Sequence, residues 1–170
     1  MGNPPILNRK SVTTVIHTFE PISNKNSRVL ILGTMPSVQS RMAEFYYSHP
    51  RNRFWVVLAK CLKQQLPQSV NDKVRLLQDN NIALWDVLAT CEIIGSDDST
   101  IRKPVCNDIA SFVKGRPITK VLCNGKKAYG LCLQLNLSTP IVCLPSTSPA
   151  NAAWGLEQLI VAWKKELITA

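Results

Sequence analysis

Four short apolar runs punctuate the chain: "RVLILG" (28–33), "IALWD" (82–86), "TKVLCNG" (119–125) and "PIVCLPS" (140–146). Each is rich in Val, Ile or Leu with little alternation, the pattern of strands buried on both faces of a parallel sheet. The longer segments between them carry a helical period. Over residues 52–62 the apolar positions Phe54, Trp55, Val57, Leu58, Cys61 and Leu62 recur at spacings of three and four. Residues 70–78, 107–113 and 126–133 read the same way, and 151–167 places Trp154, Leu156, Leu159, Ile160, Trp163 and Leu167 on one side. Strands alternating with helices predict an α/β domain with a central, mainly parallel sheet. Residues 1–25 are rich in Asn, Ser and Pro, and "TTVIHTFEPI" predicts an extended segment packed on the domain. No repeat or low-complexity linker divides the chain, so a single domain over 1–170 is expected.

In a parallel α/β sheet, ligands bind in the crevice beyond the carboxyl ends of the strands. The segments after the four runs are "GTMPS", "WDVLATCEIIGSDDS", "NGKKAY" and "PSTSPANA". Any one of them is an ordinary turn or helix cap; together they converge on one edge and predict a shared pocket. The stretch "YYSHPRNRFW" (46–55) enters the same edge. It gathers four aromatic rings in a chain whose aromatic content is only 6%, so it stands out from its background.

Composition narrows the partner. Of the 170 residues, Lys and Arg number 20 against 11 acidic residues, a net charge of +9, which suits a polyanion that releases counterions on binding. The six cysteines form no CxxC pair and several lie in apolar runs, as buried free thiols of a reducing compartment do, and they offer no zinc or iron–sulfur ligand set. The start "MGNPPILNRK" lacks the apolar core of a secretory signal, and no run of 18 apolar residues is present, so a cytoplasmic protein without a membrane partner is expected, working at the nucleoid if prokaryotic.

The turns supply the chemistry. Gly33 lets backbone approach a ligand, and the amides of "GTMPS" can donate to a carbonyl or a developing negative charge. The element matches neither dinucleotide nor triphosphate fingerprints. Asn124 offers a donor and an acceptor for the edge of a nucleobase, or caps an Asn-Gly turn. Lys126 can reach phosphate from the next helical turn. Ser146, Thr147 and Ser148, between Pro145 and Pro149, are phosphate ligands at a helix start, and the small tip from Pro149 to Ala152 can enter a base step. Ser148 or Asn151 capping the last helix does not exclude these roles. Asp86 is either a general base or, as such residues more often are, a cap. "GSDDS" lacks the spacing of an EF-hand.

Taken together, "RVLILGTMPS", "YYSHPRNRFW", "ALWDVLATCEIIGSDDS", "NGKKAY" and "LPSTSPANA" resemble the uracil-DNA glycosylase superfamily over residues 19–165, most closely its hypoxanthine-DNA (DNA-deoxyinosine) glycosylase branch. The resemblance implies a three-layer α/β/α sandwich around a four-stranded, mainly parallel sheet. It implies a monomeric enzyme that hydrolyses the N-glycosidic bond of a deaminated base, without metal or cofactor. Its substrate would be double-stranded DNA, or single-stranded DNA, from which the nucleotide is flipped. Where many members place a water-positioning Asp or Asn in the first motif, this chain has Met35, and the branch instead uses the asparagine that maps to Asn52. Ser37 replaces a bulky tyrosine, which admits a purine. Gly33, Thr34, Met35, Ser37, Phe45, Tyr47, His49 and Asn124 are then expected to bind the base, and Lys126, Ser146, Thr147, Ser148, Pro149 and Asn151 to bind DNA. Arg51 and Arg53 read as phosphate contacts or surface charges. The alternatives are uracil or mismatched-thymine excision, or a catalytically silent DNA-binding module.

Overall fold

The structure, a computed structural model, describes residues 11–168, and expectations for residues 1–10 lie outside it. In chain order, β1 (Val12–Ile16) and β2 (Val29–Gly33) precede α1 (Val38–Ala43), α2 (Phe54–Cys61) and α3 (Val70–Asp79). Then follow β3 (Ile82–Asp86), β4 (Leu88–Ile94), β5 (Asp97–Cys106), α4 (Ile109–Lys114), β6 (Lys120–Asn124), α5 (Lys126–Leu133), β7 (Ile141–Leu144) and α6 (Leu156–Ile168). The four apolar runs make one four-stranded parallel sheet in the order β3-β2-β6-β7.

The lack of alternation in these runs has a simple cause, since both faces are covered. Val29, Ile31, Ile82, Leu84, Leu122 and Leu144 point to one side, where Phe54, Leu58, Leu77, Leu159 and Trp163 of α2, α3 and α6 pack. The intervening Leu30, Leu32, Ala83, Val121 and Cys123 face Ile109, Phe112, Ala128 and Cys132 of α4 and α5, together with Cys91 and Ile93 of β4. Successive strand residues point to opposite faces, so each strand serves two cores. Burying each large apolar side chain contributes roughly 1.5–3 kcal/mol. The result is the three-layer α/β/α sandwich.

Three features depart from the sequence reading. The segment after β3 is not a turn but a hairpin: β4 and β5 pair antiparallel, and β1 adds to β4 to complete a second, three-stranded sheet. The hairpin turns at Gly95 and Ser96, where Gly95 takes φ 61, a left-handed value suited to glycine in a two-residue β-turn. The polar composition of β5 and its Pro104 conceal it as a strand, yet Pro and charges are what a solvent-facing edge tolerates. The last helix starts at Leu156 rather than Asn151, with Gln158 Oε1 accepting from Gly155 N at 2.9 Å. Cys143 is exposed on edge strand β7, unlike the buried Cys61, Cys91, Cys123 and Cys132. Among the described residues, no helix is long and apolar enough to cross a membrane.

Candidate active site

The chain leaves β2 for β3 on one side and later returns to β6 on the other, so the crevice lies at the carboxyl end of β2. Gly33 ends that strand, Asp86 ends β3 opposite it, and Asn124 ends β6. Only a glycine fits at position 33. A Cβ there would sit 2.3 Å from Asp86 Oδ1 and 2.7 Å from the Tyr47 hydroxyl, inside any van der Waals contact.

Asp86 is 4% exposed and its Oδ2 lies 2.7 Å from His17 Nε2. The backbone N–H of Phe19 donates to His17 Nδ1 at 3.2 Å. That bond occupies Nδ1 as an acceptor and leaves Nε2 to carry the proton given to Asp86. The extended N-terminal segment therefore supplies a buried partner to the floor of the crevice.

Tyr47 occupies the left-handed region at φ 51, a costly conformation for an aromatic residue. Stacking of its ring on Phe54, 4.0 Å between centroids and 16° between planes, holds it there. Its hydroxyl is sealed from solvent without a hydrogen-bond partner of acceptable geometry among the described residues. Burial pushes the phenol well above the ordinary tyrosine range, and the Asp86 carboxylate pushes the same way; the nearby Asn124 carboxamide opposes them.

A second cluster joins elements distant in sequence. Asn124 Nδ2 donates to Thr147 Oγ1 at 3.0 Å, and Thr147 N donates to Asn124 Oδ1 at 3.0 Å. The Thr147 hydroxyl donates in turn to Asn52 Oδ1 at 2.9 Å, and the N–H of Phe54 donates to the same oxygen at 3.0 Å. Asn52 thus closes the turn that opens α2 while facing β6 and the segment after β7.

Arg53 clamps that segment. Its guanidinium donates to the carbonyls of Thr147 at 3.3 Å, Ser148 at 2.8 Å and Asn151 at 3.1 Å, and also to that of Trp154. Four of the five guanidinium N–H donors are directed at carbonyls, so Arg53 is held as a clamp on this segment rather than standing free as a surface charge. Two of these carbonyls also close tight turns, Ser148 accepting from Asn151 N at 3.0 Å and Asn151 from Trp154 N at 3.4 Å, so the segment runs as successive turns ahead of α6.

The remaining expected residues divide. Thr147 is fully buried, with its hydroxyl and N–H engaged internally, so its side chain is not presented to a phosphate. Ser146 Oγ accepts from Ser148 N at 3.2 Å, Ser148 Oγ accepts from Ala150 N at 3.2 Å, and Asn151 Nδ2 donates to the Ser146 carbonyl at 2.9 Å. These bonds stiffen a loop whose tip, Ala150 and Ala152 to Trp154, is exposed, with Pro149 half-buried beside it. Lys126 is exposed at the start of α5. Ser37 caps α1 by accepting from Ser40 N at 3.1 Å, and Met35 packs on the α4–α5 core. Phe45 does not stack in the crevice. Its ring lies parallel to Trp55 at 6.0 Å, with Lys73 Nζ 5.7 Å from its centroid, and it lines a recess of about 390 Å³ with Thr18, Phe19 and Glu20. His49 shapes a turn, its Nδ1 accepting from Arg51 N at 3.1 Å.

Sequence reasoning missed His17 as a part of this region and the partners that Arg53 meets within it. Asp98, at the start of β5, has its carboxyl pushed upward, first by burial and then by Asp86 and Asp97, while Thr34 and Lys127 favour its charged form. No local signal marks His17, whose partner is 69 residues away. Arg53 stood within the "HPRNRFW" motif, but the motif does not reveal which groups it meets.

The chain is similar to known proteins in sequence and in fold. The model of the Uracil DNA glycosylase superfamily matches residues 20–167. A hypoxanthine DNA glycosylase of Methanosarcina acetivorans is 33% identical over 138 residues, covering 78% of this chain and 86% of the relative. A hypoxanthine DNA glycosylase of Methanosarcina barkeri is 37% identical over 113 residues, 65% of this chain and 71% of the relative. A solution NMR structure from Methanosarcina acetivorans, described as a candidate uracil DNA glycosylase, superposes with a TM-score of 0.80 at 27% identity, over 91% of this chain and 97% of that one.

Proposed function

The chain belongs to the uracil DNA glycosylase superfamily and is a DNA glycosylase, and we propose that within it the enzyme excises hypoxanthine from deoxyinosine in duplex DNA. The observation that carries the reading is the meeting of Asn52 with Asn124, through Thr147, at the carboxyl edge of the parallel sheet. Both asparagines keep hydrogen-bonding capacity there: Asn52 has its Nδ2, and Asn124 has one Oδ1 lone pair, its carboxamide lying near the Tyr47 hydroxyl.

Cleavage of an N-glycosidic bond requires two things of the protein. It must stabilise the anion that leaves as the base, and it must hold a water against the oxocarbenium face of the sugar. An oxocarbenium ion is so electrophilic that the water needs positioning more than activation. Asn52 positions it through Nδ2, which donates into one lone pair while the other points at the sugar. Asn124 and the buried Tyr47 hydroxyl serve the base, beside the backbone of Gly33 to Ser37. Asp86, held by His17, sets the floor of the crevice. The exposed tip of the Pro149–Trp154 loop enters the step vacated by the flipped nucleotide, and Lys126 contacts the backbone. Hypoxanthine is favoured over uracil by the small Ser37 and by the substrate named for both relatives.

The test is single-turnover incubation with labelled duplexes containing inosine, uracil or mismatched thymine, followed by alkaline cleavage of abasic sites. Inosine is expected to be processed fastest. Asn52→Ala is expected to slow excision ~100-fold or more while duplex binding persists, by analogy with loss of one oxyanion donor. Unchanged excision by Asn52→Ala overturns the role of Asn52. Faster processing of uracil or thymine overturns the substrate, and binding without cleavage of any duplex overturns the enzyme's activity in favour of a DNA-binding module.

A further inference from the structure

We propose that Thr147 is a positioning residue that fixes which end of the Asn52 carboxamide faces the substrate and couples it to the base-binding Asn124. The proposal rests on the assignment of Asn52 to the reaction.

The polarity of the chain of hydrogen bonds follows from its two fixed donors. The backbone N–H of Thr147 can only donate, so the Asn124 atom it meets at 3.0 Å is the oxygen. The other end of Asn124, which meets Thr147 Oγ1 at 3.0 Å, is therefore Nδ2, and the hydroxyl oxygen accepts there. Its single proton is left for Asn52, 2.9 Å away. The second fixed donor, the N–H of Phe54, reaches the same Asn52 atom at 3.0 Å, so that atom is also an oxygen. Both lone pairs of Asn52 Oδ1 are filled. The group that remains to meet substrate or water is Nδ2.

Thr147 has no donor left for a ligand, and burial seals in the one lone pair that remains on its hydroxyl. Its N–H goes to Asn124, its hydroxyl both accepts and donates, and its carbonyl receives two donors from Arg53. It is fully buried. It can influence the reaction only through its two neighbours. Without the hydroxyl, Asn52 Oδ1 keeps only the Phe54 bond, and the carboxamide is free to rotate or flip. Asn124 loses its acceptor at the same time. One hydroxyl thus ties base recognition on β6 to the group placed near the sugar by the α2 turn.

The experiment compares Thr147→Val, which keeps the shape, with Thr147→Ser, which keeps the hydroxyl, in single-turnover excision from an inosine duplex. Duplex affinity and melting temperature are measured on the same samples. Thr147→Val is expected to slow excision ~10–100-fold, the scale of a small misplacement of a reacting group, with duplex affinity retained. Thr147→Ser is expected to recover most of the rate. In an Asn52→Ala background, Thr147→Val is expected to cost little more, since the pair acts as a unit. An unchanged rate in Thr147→Val, an equally slow Thr147→Ser, or full additivity with Asn52→Ala overturns the proposal. A slow Asn52→Ala beside a normal Thr147→Val removes the coupling alone. A normal Asn52→Ala removes the assignment on which the coupling rests.

Discussion

Arg53 donates to the Thr147 carbonyl twice, from its backbone N–H at 3.1 Å and from Nε at 3.3 Å. The start of α2 and the segment after β7 are thereby locked to each other at the place where Asn52 and Thr147 meet. The planar fork of a guanidinium can serve several carbonyls at once, which an ammonium cannot.

Arg53→Met keeps much of the volume and removes these side-chain donors. It is expected to destabilise the fold by about 1–3 kcal/mol, the range for hydrogen bonds to a charged group discounted for partial exposure, as measured by denaturant unfolding. The salt dependence of duplex binding separates this role from a phosphate contact. Because the guanidinium is committed to carbonyls, the slope of log affinity against log salt is expected to stay the same, whereas a lost phosphate contact would reduce it by about one.

Tyr47→Phe removes a buried hydroxyl for which no hydrogen-bond partner of acceptable geometry is found among the described residues. An unsatisfied buried group is a cost to folding, so the variant is expected to be more stable by about 1 kcal/mol. Excision of hypoxanthine is expected to slow, because the hydroxyl is held free for the base. A melting temperature that falls instead would mean that the hydroxyl already has a partner.

Asp98 gives a pH signature. Its folded carboxyl titrates above the ordinary aspartate range because burial and Asp86 disfavour the charged form. The unfolded state therefore releases this proton first as pH rises, and stability falls through the window from the unfolded value of about 3.9 up to the raised folded value. Asp98→Asn removes that loss. The difference in melting temperature between the variant and the parent is expected to grow in the variant's favour across this window and then level off. A difference that stays constant with pH would show that Asp98 is not perturbed.

The four core strands and most of the helices were legible in the sequence because their causes are local. Two-face burial demands unbroken apolar runs, and a helix with one buried face needs its apolar residues three and four apart. Gly33 and Asn124 were legible as candidates at strand ends, whereas Asn52 entered only through the family resemblance. Tertiary structure alone decided how they are used. A hydrogen bond between residues 95 positions apart, as between Thr147 and Asn52, leaves no periodicity in either segment. For that reason Thr147 reads as a phosphate ligand until its burial is seen, and Arg53 as a surface charge until its carbonyls are found. His17 passes unnoticed until β1 lays it against Asp86. The strand β5 is hidden for the opposite reason, since an edge open to water needs no apolar pattern to record it. Sequence determined which residues could gather at the crevice; the packing of distant segments determined which of them are spent on holding the others in place.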